Sequence, residues 1–271
     1  MQINTDAIFL QGSDHQVCED YATNFGSKER SNRIILCDGC SSSPMTDVGA
    51  RLLALIASQS INLSWNSEVV FGFLKWIVEK DYGDFLRMNP FMFDATLLFA
   101  FEKKDKINLG MYGDGICIIK YKDNCMTVYD RSFENNYPNY FSYQLNQKRK
   151  EDYLKIDENC FISIFGFENN DFNFIESFKN PLDYYHLPLV KSQVEWLLLM
   201  SDGIHSFYKI NEQGKREYID FLEIIKKLID FKNYHGIFIQ RQVKSLMKQL
   251  KKENIFHYDD FSVAGMYVKE N

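Results

Sequence analysis

Apolar residues recur along the chain at two spacings, and the changes between them mark out the elements. Ala7-Ile8-Phe9-Leu10-Gln11-Gly12 reads as a first strand, Tyr21 to Phe25 as a second and Arg33 to Cys37 as a third. The third carries Ile34, Ile35 and Leu36 in a row and stops at Asp38-Gly39, a strand-to-loop signal. After the polar stretch Ser41-Ser42-Ser43-Pro44 the spacing becomes helical. Thr46 or Asp47 is a suitable N-cap, and Val48, Leu52, Leu55, Ile56 and Ile61 predict an amphipathic helix. Phe73, Leu74, Ile77 and Val78 predict a second helix over 69–86.

Strand patterns return at Asp94 to Phe101 and Ile107 to Tyr112. Gly113-Asp114-Gly115 then makes a hairpin-type turn into Ile116 to Tyr121, giving an antiparallel meander. Met126 to Tyr129, Phe161 to Phe165 and Trp196 to Met200 add strands. Helices are expected over Tyr218 to Phe231 and Gly236 to Leu250, before a last strand from Phe261 to Val268. Strands, a helix pair, strands, a second helix pair and a strand do not alternate singly, as a parallel doubly wound sheet requires. The order predicts an α+β fold of packed antiparallel sheets with helices outside. With 271 residues and no repeat or low-complexity linker, one large layered domain is expected over 1–271.

Composition narrows the partners. A hydrophobic content of 45% excludes wholesale disorder, and a net charge of −6 offers no basic footprint for nucleic acid. Basic residues cluster at Lys148-Arg149-Lys150 and from Lys248 to Lys252, and the second cluster, in an apolar-periodic helix, reads as a solvated face. The first residues lack a secretory pattern, and no apolar run reaches the length of a membrane span. A soluble, cytoplasmic protein without membrane or nucleic-acid partners is therefore expected. Six irregularly spaced cysteines read as reduced thiols.

The chemistry lies in the aspartates at strand ends. Aspartate is a poor strand residue and is expensive to bury as an ion, so several of them ending apolar runs suggest carboxylates gathered around divalent cations. The ordered set Glu19-Asp20, Asp38-Gly39, Gly113-Asp114-Gly115, Ser201-Asp202-Gly203 and Asp259-Asp260-Phe261-Ser262 resembles the motif series of the metal-dependent type 2C serine/threonine protein phosphatases. The likeness runs from about residue 10 to 268 and points to a divergent bacterial-type branch.

That resemblance implies a four-layer αββα sandwich and hydrolysis of phosphoserine or phosphothreonine in proteins by a water activated between two Mg²⁺ or Mn²⁺ ions. It implies that Asp38 bridges the two ions, with the Gly39 carbonyl completing one shell and Asp202 and Asp259 holding the other side. Glu19 and Asp20 would orient metal-bound waters, and Asp114 matches the position contributing to a third, weaker metal in many members. A phosphorylated protein is the implied partner, and the residues identify no partner kinase. The residue types agree, since hard cations prefer carboxylate, carbonyl and water oxygens.

The chain departs from the family pattern at two positions. Cys40 stands where eukaryotic members place a His proposed to protonate the leaving group, so no protein general acid is assigned. His15 stands where they carry a phosphate-contacting Arg, and by position it is the candidate for phosphate capture. These departures motivate one alternative, a catalytically weak relative that binds phosphoproteins. A second, the same metal chemistry on a small phosphorylated metabolite, is not separated from the first reading by sequence. Cys37-Asp38-Gly39-Cys40 also fits a C-x-x-C redox pattern, but strand alternation sends Cys37 to the core if Asp38 faces metals. No second cysteine pair supports a zinc site, and no G-x-S-x-G elbow supports a serine hydrolase. His205 and His257 read as surface or hydrogen-bonding residues. The Asn- and aromatic-rich stretch from Asp123 to Lys155 is either a groove wall or an irregular surface excursion.

Overall fold

The computed structural model describes residues 2–27, 30–62, 72, 89–156, 158–180 and 184–269. Apart from Gly72, the helix expected over 69–86 lies outside the described residues.

Two antiparallel sheets make the frame. The larger runs in the order β1 (Gln2–Leu10), β15 (Phe261–Lys269), β11 (Val194–Met200), β6 (Gly115–Tyr121), β7 (Met126–Phe133), β8 (Cys160–Glu168), β9 (Asp171–Lys179). The smaller runs β10 (Tyr184–Val190), β5 (Lys106–Tyr112), β4 (Leu97–Lys103), β3 (Arg30–Cys37), β2 (Tyr21–Ser27). A small third sheet joins β13 (Arg216–Tyr218), β12 (Phe207–Ile210) and β14 (Ile255–His257). The helices are α1 (Thr46–Asn62), α2 (Gln147–Leu154), α3 (Phe221–Leu228) and α4 (Phe238–Lys252).

Why the strands read as unbroken apolar runs is explained by which side each residue faces. In β11, Leu197 and Leu199 enter the layer between the sheets, while Trp196, Leu198 and Met200 face α3 and α4. In β3, Ile34 and Leu36 point inward, while Ile35 and Cys37 pack under α1. Both faces of each central strand are covered, so alternation disappears from the sequence. Each such side chain contributes about 1.5–3 kcal/mol when fully buried. The result is the expected αββα sandwich.

Several expectations need correction. The face of α1 that meets the sheet is Ala50, Leu53, Ala54 and Ala57, whereas Val48 and Leu55 are exposed. Small residues win because the helix sits close to strands whose Phe99 and Phe101 rings already fill the gap. The helix expected from Tyr218 starts at Phe221, where Asp220 accepts a hydrogen bond from the Leu222 N–H at 2.9 Å. Asp6 of β1 serves α4 similarly, accepting from the Gln240 N–H and its Nε2, both at 2.9 Å. Residues 94–96 are not part of β4. They follow a 3₁₀ turn, Pro90–Phe93.

Gly49 lies where α1 crosses that turn. A Cβ built there would stand 1.6 Å from the Met92 carbonyl oxygen, so backbone must move. Alanine in a helix gains about 1 kcal/mol over glycine, but overpacking costs roughly 1–3 kcal/mol, and here the obstacle cannot rotate away. We expect Gly49→Ala to lower the unfolding midpoint by roughly 2–6 °C in calorimetry. An unchanged or raised midpoint contradicts this packing.

Candidate active site

The sandwich has an open end where the inner faces of both sheets run out of apolar residues. Asp38 lies two residues beyond inward-facing Leu36, and Asp20 two before inward-facing Ala22. By the two-residue period, both continue the inner face of the smaller sheet. From the larger sheet come Asp202 after β11, Asp259 before β15, and Asp114 in the β5–β6 turn, flanked by Gly113 and Gly115 at φ of 77° and 130°. Strand ends distant in sequence thus meet in a cleft of ≈ 250 Å³. It is lined by His15, Asp38, Gly39, Asp114, Asp202 and Asp259, with the Cys40–Ser42 loop on one side and Asn136, Pro138 and Tyr140 on another.

Asp38-Gly39-Cys40 is held extended alongside 94–96. The Thr96 N–H donates to the Asp38 carbonyl at 2.8 Å, Thr96 Oγ1 accepts from the Asp38 N–H at 3.0 Å, and the Cys40 N–H donates to the Asp94 carbonyl at 2.8 Å. Asp260 fixes the opposite lip. Its two oxygens accept from the backbone N–H groups of Gly12 (2.7 Å) and Glu19 (2.6 Å), pinning the loop that carries His15 and Glu19. The Thr46 hydroxyl stands 3.2 Å from both Glu19 Oε1 and the Cys40 carbonyl.

The electrostatics are those of crowded carboxylates. Burial, and then the charges of Asp20 and Asp202, push the Asp38 carboxyl well above its ordinary range. Burial and Asp202 do the same to Asp114, against the opposing influence of Arg131, whose guanidinium donates to the Gly113 carbonyl. Burial raises Asp20 to about 7 and Asp259 to about 6. Glu19 is also raised, chiefly by burial, with Thr46 and His15 opposing. Asp20 is 1% exposed and neither of its oxygens meets strict hydrogen-bond geometry among the described residues, although the Ser262 and Ser201 hydroxyls lie beside it and oppose the rise.

His15 faces carboxylates with both nitrogens. Nδ1 lies 3.2 Å from Glu19 and 3.4 Å from Asp260, and Nε2 lies 3.0 Å from Asp259. His257 is a hydrogen-bonding residue, its Nδ1 2.9 Å from the Asp259 carbonyl. His205 rests on the Phe221 ring, 3.8 Å from Asp130. The cysteine pair separates, with Cys37 buried under α1 and Cys40 in the cleft, and both are free thiols. The sequence marks Thr96 and Asp94 only as strand residues, Thr46 only as an N-cap and Tyr140 only as part of a candidate groove wall, so it assigns none of them to the site. The polar Asp94 and Thr96 just ahead of the apolar run Leu97 to Phe101 are the signal that could have marked that segment.

The chain matches the family model described as Protein phosphatase 2C over residues 12–251. No curated protein matches the sequence. Among solved structures, it is similar to the serine/threonine phosphatase Stp1 from Staphylococcus aureus, at 12% identity and a TM-score of 0.57, covering 100% of this chain and 96% of that one. A bacterial serine phosphatase bearing an arginine-to-lysine mutation gives 13% identity and a TM-score of 0.56, covering 100% and 99%. The phosphatase domain of the cell fate determinant SpoIIE from Bacillus subtilis, with a fragment of its regulatory domain, gives 12% and 0.54, covering 99% of this chain and 64% of that one. At these identities the structures establish a shared fold, and the model match over most of the length establishes kinship: the chain belongs to the protein phosphatase 2C family.

Proposed function

We propose that this protein hydrolyses phosphoserine and phosphothreonine in proteins with the help of Mg²⁺ or Mn²⁺ held by Asp38, the Gly39 carbonyl, Asp202 and Asp259, with Asp114 beside them. The observation that carries this is the gathering of Asp38, Asp114, Asp202 and Asp259 in one cleft, with the recessed Asp20 carboxylate beside them and burial opposing the ionisation of four of the five. Such a set is stable as anions when cations neutralise it, and its donors are all oxygens, the chemistry that hard divalent ions select. The ions, when bound, acidify water and neutralise charge on the phosphoryl group.

The chain's own residues divide the remaining work. Glu19 and Asp20 lie behind the residues that line the cleft and would accept hydrogen bonds from, and so orient, the attacking water. Water adds oxygen to phosphorus, the ester P–O bond breaks, and the serine or threonine hydroxyl leaves with a proton as inorganic phosphate is formed. No residue stands as a committed general acid, because Cys40 occupies the position after Gly39. The retained carboxylates favour an active enzyme over a phosphoprotein-binding module, which has no need to hold repelling charges together. A screen of phosphopeptides against phosphorylated metabolites decides between the two substrate classes.

Hydrolysis of an aryl phosphate should require Mg²⁺ or Mn²⁺ and stop in chelator. Asp38→Asn and Asp202→Asn should each lose at least about a hundredfold in kcat/KM. Normal turnover in either variant rejects the site.

A second expectation concerns stability without metal. Asp20 is raised from 3.8 to about 7, so the folded state holds a proton that the unfolded chain releases. Stability from this group is complete below 3.8 and is lost as pH rises toward about 7. In chelator the unfolding midpoint should therefore fall across that window, Mn²⁺ should restore it most at the upper end, and Asp20→Asn should flatten the slope. A pH-independent midpoint for the chelated wild type would remove the carboxylate strain invoked here.

His15 is the candidate phosphate contact at the rim. His15→Ala should raise the KM for phosphopeptide by roughly tenfold, and a wild-type KM assigns the residue to holding Glu19 and Asp259 instead.

A further inference from the structure

Asp94 is 2% exposed and lies outside the cleft lining, yet it bonds to two of the cleft's walls. Its Oδ2 accepts from Ser43 Oγ at 2.7 Å, next to the Cys40–Ser42 wall, and its carbonyl accepts the Cys40 N–H. Its Oδ1 accepts from Ser142 Oγ at 2.6 Å, two residues after Tyr140 of the other wall. Arg149 completes the set, donating from Nη2 to Oδ2 at 2.8 Å from a guanidinium that lies over Phe91 (4.1 Å) and Tyr143 (4.8 Å).

The second wall belongs to the excursion between β7 and β8, which is tied at three levels. Asn135 donates from its backbone N–H and Nδ2 to Glu158 at the neck. Phe141 is 1% exposed and packs edge-on against Tyr112. None of the residues of α2 is buried, so the helix gains little from apolar burial of its own. Asn146 caps it by accepting from the Arg149 N–H at 3.1 Å, and the Arg149 side chain then joins it to the body. Removing a partner from a recessed ion pair leaves the other charge uncompensated, so this joint cannot be lost cheaply.

Resting on the phosphatase reading above, we propose that Arg149 is a positioning residue whose pairing with Asp94 sets the separation of the two walls, and with it the fit of a peptide-borne phosphoester. A small aryl phosphate reaches the carboxylates without spanning the walls. A phosphopeptide must lie between them.

The test uses the full-length chain as wild type, Arg149→Ala and Arg149→Lys. For Arg149→Ala, KM for a phosphopeptide should rise roughly tenfold while kcat/KM for aryl phosphate changes less than about threefold. Trypsin should cut sooner at Lys148, Lys150 or Lys155, with Arg149→Lys intermediate because it keeps the charge but loses the planar fork. A variant that melts lower but keeps both the peptide KM and the protease resistance overturns the proposal, as does equal loss on both substrates. A wild type with no metal-dependent turnover sinks the phosphatase reading alone. The proteolysis comparison still tests whether Arg149 seats the wall.

Discussion

Carboxylates held together against their own repulsion are the constraint around which this molecule is arranged. Asp20, Asp38, Asp114, Asp202 and Asp259 come from distant parts of the chain, and burial opposes the ionisation of four of them. Nothing in their own interactions brings them together. The convergence is imposed by two sheets whose inner faces, Ile34, Leu36, Leu98 and Ala100 on one side and Leu197, Leu199, Ala264 and Met266 on the other, share one apolar layer. At about 1.5–3 kcal/mol per fully buried aliphatic side chain, that layer outweighs the crowding at its end. Docking the sheets is what assembles the site.

How much of this was legible in the sequence depends on what each element buries. The strands with both faces covered, β3, β6, β11 and β15, stand out as apolar runs, and their ends mark the aspartates. The strand β9 does not, because Asp171–Lys179 is an edge with most of its residues exposed, including Phe174 and Ile175. β10 is also an edge and tolerates Pro188. The exposed helix α2 has no buried residue and so no periodicity to read. In α1 the larger aliphatic residues mislead, since alanines make the contact.

The excursion from β7 to β8 lies between the two readings its composition allowed. Its Asn136, Pro138 and Tyr140 line the cleft, while Phe141 enters the core and Tyr143 meets Tyr153. It is both a wall and an aromatic-packed surface element. Composition could not choose because the two roles fall to neighbouring residues in one segment, and the carboxylate that fixes them, Asp94, lies some fifty positions upstream of Ser142 and Arg149.

Three buried aspartates show why residue type alone does not identify a functional group. Asp20, Asp94 and Asp260 are 1%, 2% and 3% exposed, so desolvation weighs on each of them. Asp260 satisfies both oxygens with backbone N–H groups, and Asp94 uses two hydroxyls and a guanidinium. Both are fully bonded within the protein and act as braces. Asp20 has only the Ser262 and Ser201 hydroxyls beside it, which do not offset burial, and its proton affinity rises. As an anion, a carboxylate buried with so little support carries a standing cost that Asp94 and Asp260 avoid. Within one sequence motif, Asp259-Asp260, the same division appears one residue apart: Asp259 faces the cleft, and Asp260 holds the loop behind it.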